Sequence, residues 1–109
     1  MIQWRNSTET YLKTMMKMKY KVVTTKQYRR DYRRISQSGN HDIRKLEKVI
    51  IMIAKGIPLP QEYKHHQLHA DMKGLEECHI APDWLLIYQR HEDVLVLTLQ
   101  RTGSHNDLF

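Results

Sequence analysis

The chain is poor in cysteine, in clustered glycine and in long apolar runs, and each shortage removes a class of protein. Cys78 is the single cysteine among 109 residues, so no disulfide can close within the chain, and a reducing cytoplasmic setting suits it. Beside apolar strand residues, its thiol reads as buried and inert rather than as a nucleophile. The four glycines stand alone at positions 39, 56, 74 and 103. No glycine loop is therefore available to cradle a nucleoside triphosphate, and no GxSxG elbow presents a serine. The longest apolar run covers residues 49–54, far short of the roughly 20 needed to span a bilayer. Residues 1–18 have no continuous apolar centre and do not read as a secretory signal, so the expected setting is cytoplasmic with no membrane partner. Metal-ligand spacings of the CxxC or HExxH kind are missing too. His65 and His69 stand four apart near Cys78-His79, but in a segment without helical patterning, so no metal or other cofactor is expected.

What the chain has is positive charge. Lys plus Arg number 18 against 12 for Asp plus Glu, a formal net charge of +6. Such a surface suits a polyanionic partner, nucleic acid or an acidic protein. Length allows one small domain.

Residues 19–24 (KYKVVT) alternate and are β-branched, which predicts a strand. Thr24 or Thr25 can cap the helix that follows. There Tyr28, Tyr32 and Ile35 form one apolar stripe, with Arg29, Arg30, Arg33 and Arg34 on the remaining faces. Residues 36–40 (SQSGN) read as a turn. Ile43, Leu46, Val49, Ile50 and Ile53 repeat at helical spacing and predict a second helix over 42–55, with Gly56 as its stop. A polar, histidine-rich connection leads to Gly74. Strand-like runs follow at 75–80, 84–90 and 94–102, separated by Pro82-Asp83 and by His91-Glu92-Asp93, so consecutive strands should pair antiparallel. The expected architecture is α+β, ordered β-α-α-β-β-β, with two helices packed on one face of a small antiparallel sheet over residues 19–109. Residues 1–18 form an N-terminal extension. It reads either as upstream sequence before a start at Met18, the favoured reading, or as a helical extension.

Seven histidines are the main chemical resource: His41, His65, His66, His69, His79, His91 and His105. Imidazole suits proton transfer near neutral pH. Histidine, aspartate and arginine on a basic surface are what metal-free RNA cleavage needs. A base takes the proton of a ribose 2′-OH, an acid protonates the leaving 5′ oxygen, and a cation balances the extra phosphoryl charge. Aromatic side chains can stack an unpaired base.

The residues then match a pattern. Leu59-Pro60, Tyr63-Lys64, His66, Leu68, Lys73-Gly74, His79, Pro82-Asp83-Trp84, Leu86-Ile87-Tyr88, Arg101-Thr102-Gly103-Ser104-His105 and Leu108-Phe109 follow one another in an order and spacing that resemble the YafQ-type toxins of the RelE superfamily. The resemblance covers about residues 19–109. It implies the RelE-like fold and a toxin of a type II toxin–antitoxin system. It also implies a metal-independent endoribonuclease (mRNA interferase) that cleaves mRNA in the ribosomal A site and inhibits translation. The implied partners are ribosome and mRNA, a cognate acidic, DinJ-like antitoxin, and operator DNA only through that antitoxin. By motif, the catalytic set would fall on His66, His79, Asp83, Arg101 and His105. Arg101 would stabilise the phosphorane and His105 is favoured as the general acid, although the order of acid and base stays open. Substrate contacts would fall on Trp84, Phe109, Lys64 and Lys73. The arginines of the first helix, Arg29, Arg30 and Arg33, read from their charge as contacts to ribosomal RNA or an acidic antitoxin, or else as a solvated face.

Four departures stand out. Residues 68–74 lack a glycine many relatives carry, Met72 occupies a position where an aromatic is common, Glu76-Glu77 stand where a basic residue often lies, and residues 1–18 have no counterpart. Met72 and Glu76-Glu77 make an alternative conceivable, an inactive RelE-like protein that binds RNA or antitoxin without turnover. A DNA-binding regulator is disfavoured because the second helix is too apolar to lie in a groove. Several residues also have plain structural readings. Trp84 suits a core as well as a contact, Arg101 could pair with an acid such as Asp83, and His65 and His69 read as solvated bystanders.

Overall fold

The computed structural model describes residues 18–109, so the N-terminal extension lies outside the described residues except for Met18. The elements are β1 (Lys21–Thr24), α1 (Lys26–Ser38), α2 (Ile43–Ala54), β2 (His66–Gln67), β3 (Glu76–Ala81), β4 (Trp84–His91), β5 (Val96–Gly103) and a short α3 (His105–Leu108).

Local chemistry sets the helix ends. The Thr25 hydroxyl accepts from the Tyr28 backbone N–H at 3.0 Å and starts α1. Gly39, at φ +77°, ends it in the left-handed conformation that glycine adopts without steric cost. The Asp42 carboxylate caps α2 through the Arg44 N–H. At the far end of α2, the Ala54 carbonyl accepts from the backbone N–H groups of Lys19 and Tyr20 at 2.8 and 2.9 Å. That pair of bonds ties the entry of β1 to the exit of the helical hairpin.

The five strands lie in the order β1-β5-β4-β3-β2. β3, β4 and β5 form the expected antiparallel meander, and the α+β class with two helices over one sheet face is as anticipated. Two features differ from the expectation. β1 pairs parallel with β5, from Lys21 opposite Val96 to Thr24 opposite Leu99, so the sheet is mixed. The first and last long strands meet because the rest of the chain serves as the crossover that a parallel pair requires. In addition, the polar connection contributes the two-residue strand β2, paired antiparallel to β3.

The core lies between helices and sheet. Tyr28, Ile35, Leu46, Val49 and Ile53 from the helices meet Cys78, Ile80, Leu86, Tyr88, Leu97 and Leu99 from the strands. Burial, helped by the charges of Glu77 and Glu76, pushes the Cys78 thiol up to about 12, so it is protonated and inert as anticipated. Leu85 and Ile87 are buried as well, but alternation along β4 points them to the opposite face from Leu86 and Tyr88.

One member of the helical stripe is charged. Asp31 lies between Tyr28 and Ile35 on α1 and is 1% exposed. Its carboxylate accepts from Arg101 Nε at 2.7 Å, from the Thr102 backbone N–H at 3.2 Å and from Arg34 at 3.1 Å. A buried carboxylate is tolerated only when paired and hydrogen-bonded in this way, and here it fastens α1 to β5. Asp31→Ala should strand two guanidinium groups and cost about 2–4 kcal/mol, the lower end reflecting the partial exposure of both arginines. Urea unfolding measures this, and a loss below about 0.5 kcal/mol would contradict the fastening role.

Candidate active site

The site grows out of strand register. His66 pairs with Glu77, Glu77 with Ile87, and Ile87 with Arg101, so one row across four strands carries His66, Glu77, Ile87 and Arg101 on a single face. The adjoining row carries His79, Leu85 and Gly103. This face is opposite the one that carries Cys78, Leu86, Tyr88 and Leu97 into the core, and α1 borders it where Asp31 meets Arg101.

Arg101 reaches it through a fault in β5. The pairing shifts between Ile87 opposite Arg101 and Tyr88 opposite Leu99, leaving Gln100 as an extra residue. Strict alternation would send Leu99 and Arg101 to the same side. The bulge lets Leu99 enter the core while Arg101 joins the histidine row, a re-aiming for which bulges are suited. Arg101 pairs with Asp31, not with Asp83. Asp31 engages its Nε and one terminal nitrogen, so of the five guanidinium N–H groups two are committed and three remain.

Glu77 is 4% exposed and links two histidines. Its Oε1 lies 2.9 Å from His66 Nε2 and 3.9 Å from His79 Nε2. The second distance is an electrostatic contact, too long for a hydrogen bond. The other ring nitrogen of His66, Nδ1, lies 3.0 Å from the Lys64 carbonyl. A carbonyl can only accept, so Nδ1 carries a hydrogen and Nε2 is left facing a carboxylate. A proton taken up at Nε2 would therefore face the Glu77 carboxylate. Lys64, at φ 48°, turns the chain through the left-handed region just before His66, the kind of local strain that marks constrained sites. Lys64 and His79 line a common cavity of about 290 Å³ with Tyr63 and Pro82.

A second group sits where the β3–β4 turn meets the C-terminus. The Asp83 carboxylate accepts from the His105 backbone N–H at 3.1 Å. Ser104 and Asp107 cap α3 reciprocally, which fixes His105 at its first position. The Phe109 ring, 56% exposed, lies 5.0 Å from the His105 ring between centroids. The backbones of His79 and Gly103 are two strand spacings apart, roughly 10 Å.

The structure thus brings His66 and His79 together through Glu77, joins Asp83 to His105 and Phe109, and sets Arg101 in the row with His66. Trp84, expected as a substrate contact, is instead a core residue. It is 4% exposed, its indole N–H donates to Thr102 Oγ1 at 3.0 Å, and the His41 ring packs edge-on against it. Lys73 is exposed beyond β2. Arg29 is tied to Thr24, and with Arg33 it lines a groove between α1 and α2, so neither shares the histidine face. Arg30 is exposed one turn before Arg34, and Arg34 reaches the Thr102 carbonyl and Asp107. Glu77 and Asp31 were missed in the sequence. Each had a periodic signal: Glu77 is two residues from His79 on a strand, and Asp31 falls within the Tyr28–Ile35 stripe.

His65 is not a bystander either. Its Nε2 lies 2.7 Å from Glu76 Oε1, and Arg90 of β4 grips the same carboxylate with two N–H groups. Burial alone raises the Glu76 carboxyl. The hydrogen bonds from Arg90 and His65 and the Arg90 charge outweigh that, and the net position is below the ordinary carboxylate value. Among the described residues, no three His, Cys, Asp or Glu side chains stand in a geometry that could hold a metal ion, and no helix is long and apolar enough to cross a membrane.

A small basic α+β domain with a sheet face carrying histidines, a carboxylate and an arginine is the class that fold and site define. Residues 20–109 match the model of the bacterial toxin of type II toxin–antitoxin systems, YafQ. The mRNA interferase toxin YafQ of Escherichia coli K12 is 37% identical over 84 residues, covering 76% of this chain and 88% of that protein. Among solved structures, a metal-bound toxin from Helicobacter pylori superposes with a TM-score of 0.77 at 36% identity, over 83% of this chain and 99% of that one. The toxin of the E. coli DinJ–YafQ toxin–antitoxin complex does so with a TM-score of 0.74 at 32% identity, over 84% and 99%. The chain belongs to the YafQ family of type II toxins.

The Glu76 position gives a pH test. A carboxyl lowered in the folded state contributes stability above its ordinary value, and that stability is lost as pH falls through the lowered folded value. The stability gap between the wild type and Glu76→Gln, measured by urea unfolding, should therefore shrink between neutral pH and about pH 3. A gap that stays constant would show that the charged carboxylate is not the stabilising form.

Proposed function

We propose that this toxin is an endoribonuclease that cleaves messenger RNA in the ribosomal A site by attack of a ribose 2′-OH on the adjacent phosphate. The observation that carries the reading is the His66–Glu77 contact in the same cross-strand row as Arg101. On the His66–Glu77–His79 side, a proton is taken from the 2′-OH. The 2′ oxygen then bonds to phosphorus, and the bond from phosphorus to the 5′ oxygen breaks. His105, held beside Asp83 at the other end of the face, protonates the departing 5′ oxygen. Arg101, oriented by Asp31, offers its free N–H groups to the phosphoryl oxygens as negative charge accumulates. Phe109, exposed beside His105, offers a ring on which a base can stack.

Lys64 and Lys73 extend the positive surface around this face, while Arg30 and Arg33 on α1 suit contact with ribosomal RNA. The ribosome supplies what a shallow face lacks, since holding RNA in line accounts for much of the rate in such reactions. An acidic antitoxin, as in the DinJ–YafQ complex, silences the toxin by covering the basic surface, and operator DNA is reached only through it. Glu76-Glu77, the departure behind the non-catalytic alternative, has another physical role here: both carboxylates hold histidines.

Primer extension on a defined mRNA in a purified translation system tests the proposal. Wild type should cut at particular codons only when ribosomes are present, and His105→Ala should lose at least about 100-fold in rate. Wild type that cuts nothing with ribosomes, or His105→Ala that cuts normally, would overturn it.

A further inference from the structure

β2 has two residues, and its pairing consists of His66 opposite Glu77 and Gln67 opposite Glu76. So short a ladder is marginal on its own, yet it carries His66. Two adjacent histidines complete the attachment by pointing to opposite faces. His66 reaches Glu77 on the open face at 2.9 Å, and His65 reaches Glu76 on the helix face at 2.7 Å. His65 lines a cavity of about 270 Å³ together with Pro58, Leu59, Tyr88 and Arg90, its ring centroid is 6.4 Å from that of Tyr88, and its side chain is 34% exposed. The hydrogen bond to Glu76 at 2.7 Å is the directional contact that sets its ring. Glu76 is in turn 6% exposed and clamped by Arg90, with Nε to Oε2 at 2.8 Å. An apolar residue would fill such a site at less desolvation cost, so a buried carboxylate–guanidinium pair is better explained by what it specifies than by the stability it adds.

We propose that Glu76, clamped by Arg90, is a positioning residue that acts through His65 to set the place of His66 on the catalytic face. The inference rests on the reading of His66 as a proton-transfer group. A connected path runs from the central strand β4 through Arg90, Glu76 and His65 to His66, so the meander dictates where the connection after α2 presents its imidazole. Displacement of a reacting group by about 1 Å can cost on the order of 100-fold. The loss should fall on the chemical step and spare substrate affinity, because neither His65 nor Glu76 lies on the face that meets RNA.

The test is single-turnover cleavage of ribosome-bound mRNA as a function of toxin concentration, with melting temperatures measured alongside. His66→Ala should lose at least about 100-fold in the saturating rate. His65→Met, without a donor, should lose about 10- to 100-fold in the saturating rate, with a half-saturating concentration within about threefold of wild type. His65→Gln keeps an N–H for Glu76 and should recover to within about threefold of the wild-type rate. An active His66→Ala would remove the reading of His66 itself. With His66→Ala inactive, the positioning role is overturned by His65→Met at the wild-type rate. It is equally overturned if the Met and Gln variants are slowed alike, or if His65→Met raises the half-saturating concentration and leaves the saturating rate unchanged.

Discussion

The contact on which most else depends is the one between the buried Asp31 carboxylate and Arg101. It joins α1 to β5, takes a third donor from the Thr102 backbone, and receives Arg34 from its own helix. Without it, α1 would lose its buried polar tie to β5, and the arginine of the histidine face would have a choice of rotamers. With it, two Arg101 N–H groups are bound to Asp31 while the side chain stays 28% exposed. One interaction thus serves both packing and electrostatic preorganisation, in the sense that the donor is oriented before any charge develops near it.

The sheet works as a divider. Its helix-facing side is a conventional apolar core with a charged rim, where Glu76, Arg90 and His65 stand beside Tyr88. Its other side carries buried Leu85 and Ile87 beneath a row of ionisable groups. The β5 bulge is what allows a single strand to serve both, placing Leu99 in the core and Arg101 on the opposite face two residues later. The same division explains why neighbours in sequence have unrelated roles. Glu76 and Glu77, like His65 and His66, are separated by the full thickness of the sheet, and each pair would look redundant in a linear reading.

Much of this was legible in the sequence. The strand at 19–24, both helices and their Thr25 and Asp42 ends, and the three-strand meander follow from periodicity and turn chemistry. So does the inert Cys78. Less visible were features set by partners distant in the chain. The parallel pairing of β1 with β5 spans about 75 residues and leaves no local mark. β2 is recognisable only through the carboxylates opposite it. Trp84 carried a motif signature and an apolar strand context at once, and only its bond to Thr102 separates core from contact. Position by position, Glu76-Glu77 look like a lost basic contact, whereas strand alternation already places Glu77 on the same face as His79.

The proposed 2′-OH nucleophile, served by protein groups, is reported directly by the ends of the cleaved RNA. Mass spectrometry of the upstream fragment should show a 2′,3′-cyclic phosphate, or the monophosphate it hydrolyses to, and a 2′-deoxy substitution at the scissile nucleotide should abolish cutting. A 3′-hydroxyl paired with a 5′-phosphate, or undiminished cleavage at the deoxy position, would contradict it.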